Sequence, residues 1–215
     1  MSPRRAVTSD HHAPIPRRGK AVVAVLAAAL LAGPGIAQAT PQTTAAPARQ
    51  GQVTAAASIT WTLERAANPT EDQRTAYDLI TRAMNAAVAR YNNLSDLGKT
   101  ITVRYDPGVP TADGNINGTI RFGNRGYMTE RTALHEIAHT IGVGTSSGWS
   151  RLGGSGTWTG AQATALVRQF DGASAKLSTG GGHFWPYGLN YDNEFSNTAA
   201  DRHVQIVAAM VRDGL

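Results

Sequence analysis

The sequence predicts an α+β fold, with a small mixed sheet and a long helix in its N-terminal half and a loop-rich C-terminal half that ends in a helix. Three observations carry that reading. Short runs at 58–64, 100–105 and 119–122 place apolar side chains at every second position, the period of a half-buried strand. A longer stretch repeats apolar residues at helical spacing, Ala76, Tyr77, Ile80, Ala83, Met84, Ala87, Val88 and Tyr91, behind a capping box formed by Thr70 and Gln73. After residue 144 the chain turns rich in glycine and serine, broken by two more helical patterns.

In chain order, Arg17, Arg18 and Lys20 precede an apolar run from Ala21 to Leu31, and Ala37-Gln38-Ala39 makes an A-x-A cleavage site. Residues 1–39 therefore read as a secretory signal peptide, and the arginine pairs at 4–5 and 17–18 leave a twin-arginine route open. Residues 40–57 are Thr, Ala, Pro and Gln with the single charge of Arg49, a flexible lead-in to one domain over 58–215. Ile59, Trp61 and Leu63 mark the first strand, and the capped helix follows. Ile101, Val103 and Tyr105 mark the second strand, and Thr119–Phe122 is a third beyond a Gly/Asn-rich turn. A helix is expected over 128–141, capped by Thr129, carrying an apolar stripe of Ala133, Leu134, Ile137, Ala138 and Ile141, and stopped by Gly142 and Gly144. Then come a loop over 144–156, a helix from Thr159 to Phe170 capped by Thr159 and Gln162, a glycine- and aromatic-rich loop over 179–194, and a last helix over 197–212.

Composition removes several classes of function. Five of the 20 Lys/Arg and one of the 15 Asp/Glu precede Thr40, so the formal charge of +5 falls to +1 in the cleaved chain. A near-neutral domain offers no electrostatic case for nucleic acid or an anionic membrane as partner, and no anchor remains once the leader is cut. There is no cysteine, which excludes disulfides, thiolate metal sites and a cysteine nucleophile. Serines 146, 147 and 150 lack a G-x-S-x-G elbow.

Chemistry concentrates at His135, Glu136, Ile137, Ala138 and His139, which spell H-E-x-x-H inside the 128–141 helix. Side chains four apart share one helical face, with Cβ atoms about 5–6 Å from each other. Two imidazoles there can take one metal ion, and Glu136, one step round, can accept a proton from a metal-activated water. The plainer reading is an amphipathic helix with two surface histidines.

The stretch resembles the zincin metallopeptidases, and Gly142 draws it toward the metzincin branch, whose pattern is H-E-x-x-H-x-x-G-x-x-H. His135, Glu136, His139 and Gly142 match, but Thr145 stands where that branch has its third histidine, and a hydroxyl is a poor zinc ligand. By analogy, the resemblance implies that Thr119, Ile120, Arg121 and Phe122 form an edge strand to which an extended peptide adds itself. It also sends the search for a third ligand further along the chain. His183, in Gly-Gly-Gly-His-Phe-Trp-Pro-Tyr-Gly-Leu-Asn-Tyr, is favoured, because its glycines let a loop come close to the end of a helix. His203 competes from an apolar stripe with Ile206, Val207 and Met210, where a role behind the ligands suits it better. Glu194 follows Asn193 much as the helix-borne ligand of the gluzincin branch does, and Asp192 or no third protein ligand stays open. Leu189-Asn190-Tyr191 is similar to the Met-x-Tyr turn of metzincins, with Leu189 for methionine, which makes Tyr191 a candidate to hydrogen-bond the oxyanion.

Taken together, the resemblance implies a secreted, monomeric zinc endopeptidase with one catalytic Zn2+ and a protein or peptide substrate. A secreted glycan- or cell-surface-binding protein on the same scaffold and a zinc amidase or deacetylase are the rivals. Asp113, Asn115, Asn117 and Gly118 also imitate the start of a Ca2+ loop, although Asn124 stands where its glutamate belongs and a tight turn explains them more simply. Trp149, Trp158 and Trp185 are either sugar platforms or core.

Overall fold

Four strands form a mixed sheet, three of them with apolar side chains toward the core, described here from a computed structural model covering residues 57–215. The expected signal peptide and all but the end of the 40–57 linker lie outside the described residues. The chain runs β1 (Ile59–Leu63), α1 (Glu71–Leu94), β2 (Lys99–Tyr105), β3 (Ala112–Asn115), β4 (Thr119–Phe122) and α2 (Glu130–Ile141). The sheet order is β1-β2-β4-β3, with β1, β2 and β4 parallel and β3 antiparallel to β4. In register, Leu63 lies opposite Val103 and Val103 opposite Ile120, so Ile101, Val103, Ile120 and Phe122 share the face that α1 and α2 cover.

Helix α1 forms where its pattern predicts. Thr70 Oγ1 accepts the backbone N–H of Gln73 at 3.2 Å while Gln73 Oε1 accepts that of Thr70 at 2.9 Å, and all eight stripe residues from Ala76 to Tyr91 are buried. Helix α2 starts after Thr129, whose side chain accepts from the N–H of Thr132, and stops at Gly142, where φ is 140°.

The sheet edge departs from expectation. Thr119–Phe122 is an inner strand, flanked by β2 and β3, and the edge on its side of the sheet belongs to β3, an Ala-Asp-Gly-Asn segment with no apolar alternation, while β1 forms the opposite edge. Its placement rests on a close approach: a Cβ at Gly114 would collide with the carbonyl oxygen of Glu136, so only glycine lets β3 lie against α2. The supposed calcium loop is the hairpin joining β3 to β4. Both carboxylate oxygens of Asp113 accept from Arg121, at 3.0 and 2.5 Å, and Asn115 Oδ1 accepts the N–H of Asn117, which leaves these groups serving the turn.

The second half holds more structure than its composition suggests. Residues 144–156 contain a short helix, α3 (Ser147–Gly153), capped by Ser146 and anchored by the buried Trp149. The next helix, α4 (Ala161–Asp171), begins after Gly160, not Thr159, and its first N–H groups are capped from elsewhere in the chain: Asp213 accepts from Gln162 and Ala163 at 2.7 and 3.0 Å. Within 179–194 lie a hairpin, β5 (Ser178–Gly180) and β6 (His183–Trp185), and a 3-10 turn at Asp192–Glu194. Helix α5 (Asn197–Arg212) closes the fold with His203, Ile206, Val207 and Met210 buried. Trp149 and Trp158 pack together at 5.7 Å and are core, not sugar platforms. No described helix is long and apolar enough to cross a membrane.

Candidate metal centre

The helical spacing of H-E-x-x-H brings His135 and His139 side by side, with their Nε2 atoms 3.1 Å apart. Their other ring nitrogens are committed. His135 Nδ1 donates to the carbonyl of Gly188 at 2.8 Å, and His139 Nδ1 donates to that of Val143 at 2.7 Å. A carbonyl oxygen only accepts, so both neutral rings carry their proton on Nδ1 and turn an Nε2 lone pair inward. Two lone pairs at that distance repel each other. A cation in front of them removes the repulsion.

His183 supplies the third ring. It opens β6, and the backbone of Gly182 comes so near Gly144, just past α2, that a Cβ at Gly144 would collide with the Gly182 carbonyl. Gly144 also has φ of 71°, so glycine meets both demands at the junction of helix end and hairpin. The His183 ring stands 5.1 Å from that of His135 and 5.4 Å from that of His139, and one ligating nitrogen from each of the three lies within 4.8 Å of the others. This is the only such group among the described residues. Burial depresses the pKa of His135 and of His139, which favours the neutral form that a metal requires. Three imidazoles without a thiolate fit a borderline divalent ion, a donor set that serves zinc, copper, iron and nickel alike.

The rival ligands point elsewhere. Glu194 accepts the Asn190 backbone N–H at 2.7 Å, Asp192 accepts from Arg131 Nε at 2.7 Å, and Thr145 donates its hydroxyl to the His139 carbonyl at 2.7 Å. His203 is fully buried behind the cluster, where desolvation holds its pKa down at about 4. Glu136 is 5% exposed and borders the cleft. Burial first, then the nearby Asp113 carboxylate, push its pKa up to about 8, against a smaller pull from Arg131.

A cleft of about 530 Å³ opens over the cluster. One wall is β3, through Ala112, Asp113 and Gly114, and the other is formed by Asn190, Tyr191 and Asp192. Tyr191 is 63% exposed at that rim, within the cleft lining as its sequence position suggests. Sequence reasoning missed Arg131, whose buried guanidinium ties α2 to the far wall by donating to Asp192 and, at 2.7 Å, to the Leu189 carbonyl. Its place on the apolar side of an otherwise regular amphipathic helix was the available signal. It also missed β3, whose polar composition reads as a turn.

No protein-family model, curated protein or solved structure matches the chain.

Proposed function

We propose that the protein is a secreted zinc-dependent endopeptidase of zincin type. The observation that carries the reading is the convergence of three imidazoles beside a buried carboxyl, on the floor of an open cleft walled by a free strand edge. Held by one nitrogen from each of His135, His139 and His183, zinc supplies Lewis acidity toward a water molecule and the scissile carbonyl.

The chain's own groups do the rest. Unpaired main-chain N–H and C=O groups along the outer side of β3 hydrogen-bond an extended polypeptide and lay it across the cleft. The Glu136 carboxylate takes a proton from the attacking water and passes it to the departing amine nitrogen. A carboxyl whose burial raises its proton affinity is suited to both halves of that transfer, and the charge of a bound dication acts in the opposite direction. Tyr191, free at the rim, donates its phenolic hydrogen to the carbonyl oxygen as negative charge builds there. A carboxyl buried beside the cluster suits proton transfer better than binding, and an open cleft with a strand edge suits a polypeptide better than a small amide.

The test compares the leaderless protein with Glu136→Gln for zinc content and casein hydrolysis. Bound zinc is expected in both, with turnover falling about 10²–10⁴-fold in the variant. A variant that keeps most of its rate would remove Glu136 as the base. A zinc-loaded protein that spares casein but cleaves small amides would move the reading to an amidase.

A further inference from the structure

We propose that His203 is a positioning residue that fixes the geometry of the three-histidine cluster, by tying the segment beside each ligand to one buried ring. The proposal rests on the cluster binding a metal, not on the reaction it performs there.

His203 lies wholly inside the protein on α5, yet its contacts with Tyr187, Leu134 and Phe184 each fall one residue from a ligand or from a ligand's own hydrogen-bond partner. Its Nδ1 donates to the Tyr187 carbonyl at 2.7 Å, and the next residue, Gly188, is the one whose carbonyl receives the proton of His135 Nδ1. Nε2 faces the Leu134 carbonyl at 3.1 Å and the phenol of Tyr91 at 3.0 Å; with the ring's one proton on Nδ1, where the carbonyl approach is shorter, Nε2 accepts from the phenol. The same phenol lies 3.2 Å from the carbonyl of Leu134, which precedes His135 on α2. The ring also stacks at 5.7 Å and 16° on Phe184, which follows His183 on β6. One imidazole thus touches all three segments that have to stay in register: α2, the hairpin, and the loop that holds the tautomer of His135.

The loop needs holding. Tyr187 and Leu189, on either side of Gly188, adopt φ of 68° and 58°, a left-handed conformation that side chains other than glycine's rarely accept. Each is retained by a hydrogen bond to its own carbonyl, from His203 Nδ1 at Tyr187 and from Arg131 Nη1 at Leu189, both at 2.7 Å. Release of the Tyr187 carbonyl frees the peptide that leads into Gly188, directly before the one that carries the Gly188 oxygen. His135 then loses the partner that fixes its ring and its proton.

Three variants separate this role from packing. His203→Phe keeps an aromatic ring against Phe184 and removes both hydrogen bonds, whereas His203→Asn restores an N–H donor close to the place of Nδ1. Tyr91→Phe leaves the imidazole and its contacts with Tyr187 and Leu134, and removes only the phenol's hydrogen bond to Nε2. The readouts are the zinc dissociation constant from competition with a chromophoric chelator, the visible spectrum of the cobalt-loaded protein, and the melting curve with metal removed. His203→Phe is expected to melt cooperatively without metal, to bind zinc roughly 10–100-fold more weakly and to show an altered cobalt spectrum. His203→Asn should recover most of the affinity, and Tyr91→Phe should lose less than His203→Phe. Unchanged affinity and spectrum in all three would overturn the proposal, as would equal losses in His203→Phe and His203→Asn, or a loss that appears only with the collapse of cooperative melting. Zinc binding without casein hydrolysis would refute the peptidase reading and leave this result standing, while an unaltered protein that binds no zinc would end both.

Discussion

At the scale of single residues, the burial of Glu136 sets stability against chemistry. Its folded-state pKa, about 8, lies above the ordinary value of 4.5, so the folded chain binds the extra proton within that window. Stability is therefore lost as pH rises from about 4.5 to about 8. Glutamine resembles the protonated acid and carries no such penalty. With zinc chelated, Glu136→Gln should melt close to the unaltered protein below pH 4.5 and gain a growing advantage up to about pH 8, constant beyond it. An advantage independent of pH would mean that burial does not govern this carboxyl. His135, Glu136 and His139 were legible as a site because a helix turns local spacing into a shared face. His183 was legible only as a favoured candidate, from the glycines around it and the few histidines beyond residue 39, since its own neighbourhood does not say which helix it approaches.

Among elements, capping decided what periodicity left open. The starts of α1 and α2 could be read because Thr70 and Thr129 cap from the adjacent position. The start of α4 could not, because Asp213 caps it from the far end of the chain while also accepting the indole N–H of buried Trp158 at 2.9 Å. Asp213→Ala should cost about 2 kcal/mol in urea unfolding, at the upper end for a lost cap because the indole is also left unpaired. Zinc affinity should not change, since none of these groups lines the cleft. A cost under about 0.5 kcal/mol would mark the cap as incidental. Strand β3 stayed hidden for another reason. It pairs with β4 on one side only and needs glycine against α2, so it lacks the apolar alternation by which its neighbours were recognised.

For the molecule as a whole, the core runs without a break from the sheet through α1 and α2 to α5, and the histidines join parts that already pack together. Metal binding then adds to stability by mass action without being a condition of folding; a site saturated a thousandfold above its dissociation constant contributes about 4 kcal/mol. On the proposed function, chelation should abolish casein hydrolysis, lower the melting temperature and leave a single cooperative transition. Loss of that transition on chelation would make the ion structural.

The order of β1, α1, β2, β4, α2, α4 and α5, the two histidines on one helical turn and their neighbouring acid were determined by the sequence alone, because each depends on periods of two or 3.6 residues and on caps a few positions away. Only the tertiary structure decided which strand forms the edge beside the cleft, that His183 joins the cluster while His203 stands behind it, and that Arg131 and Asp213 fasten distant segments. Those outcomes depend on which backbones can approach closely and which buried polar atoms find partners, conditions met between residues tens of positions apart that leave no period in the chain.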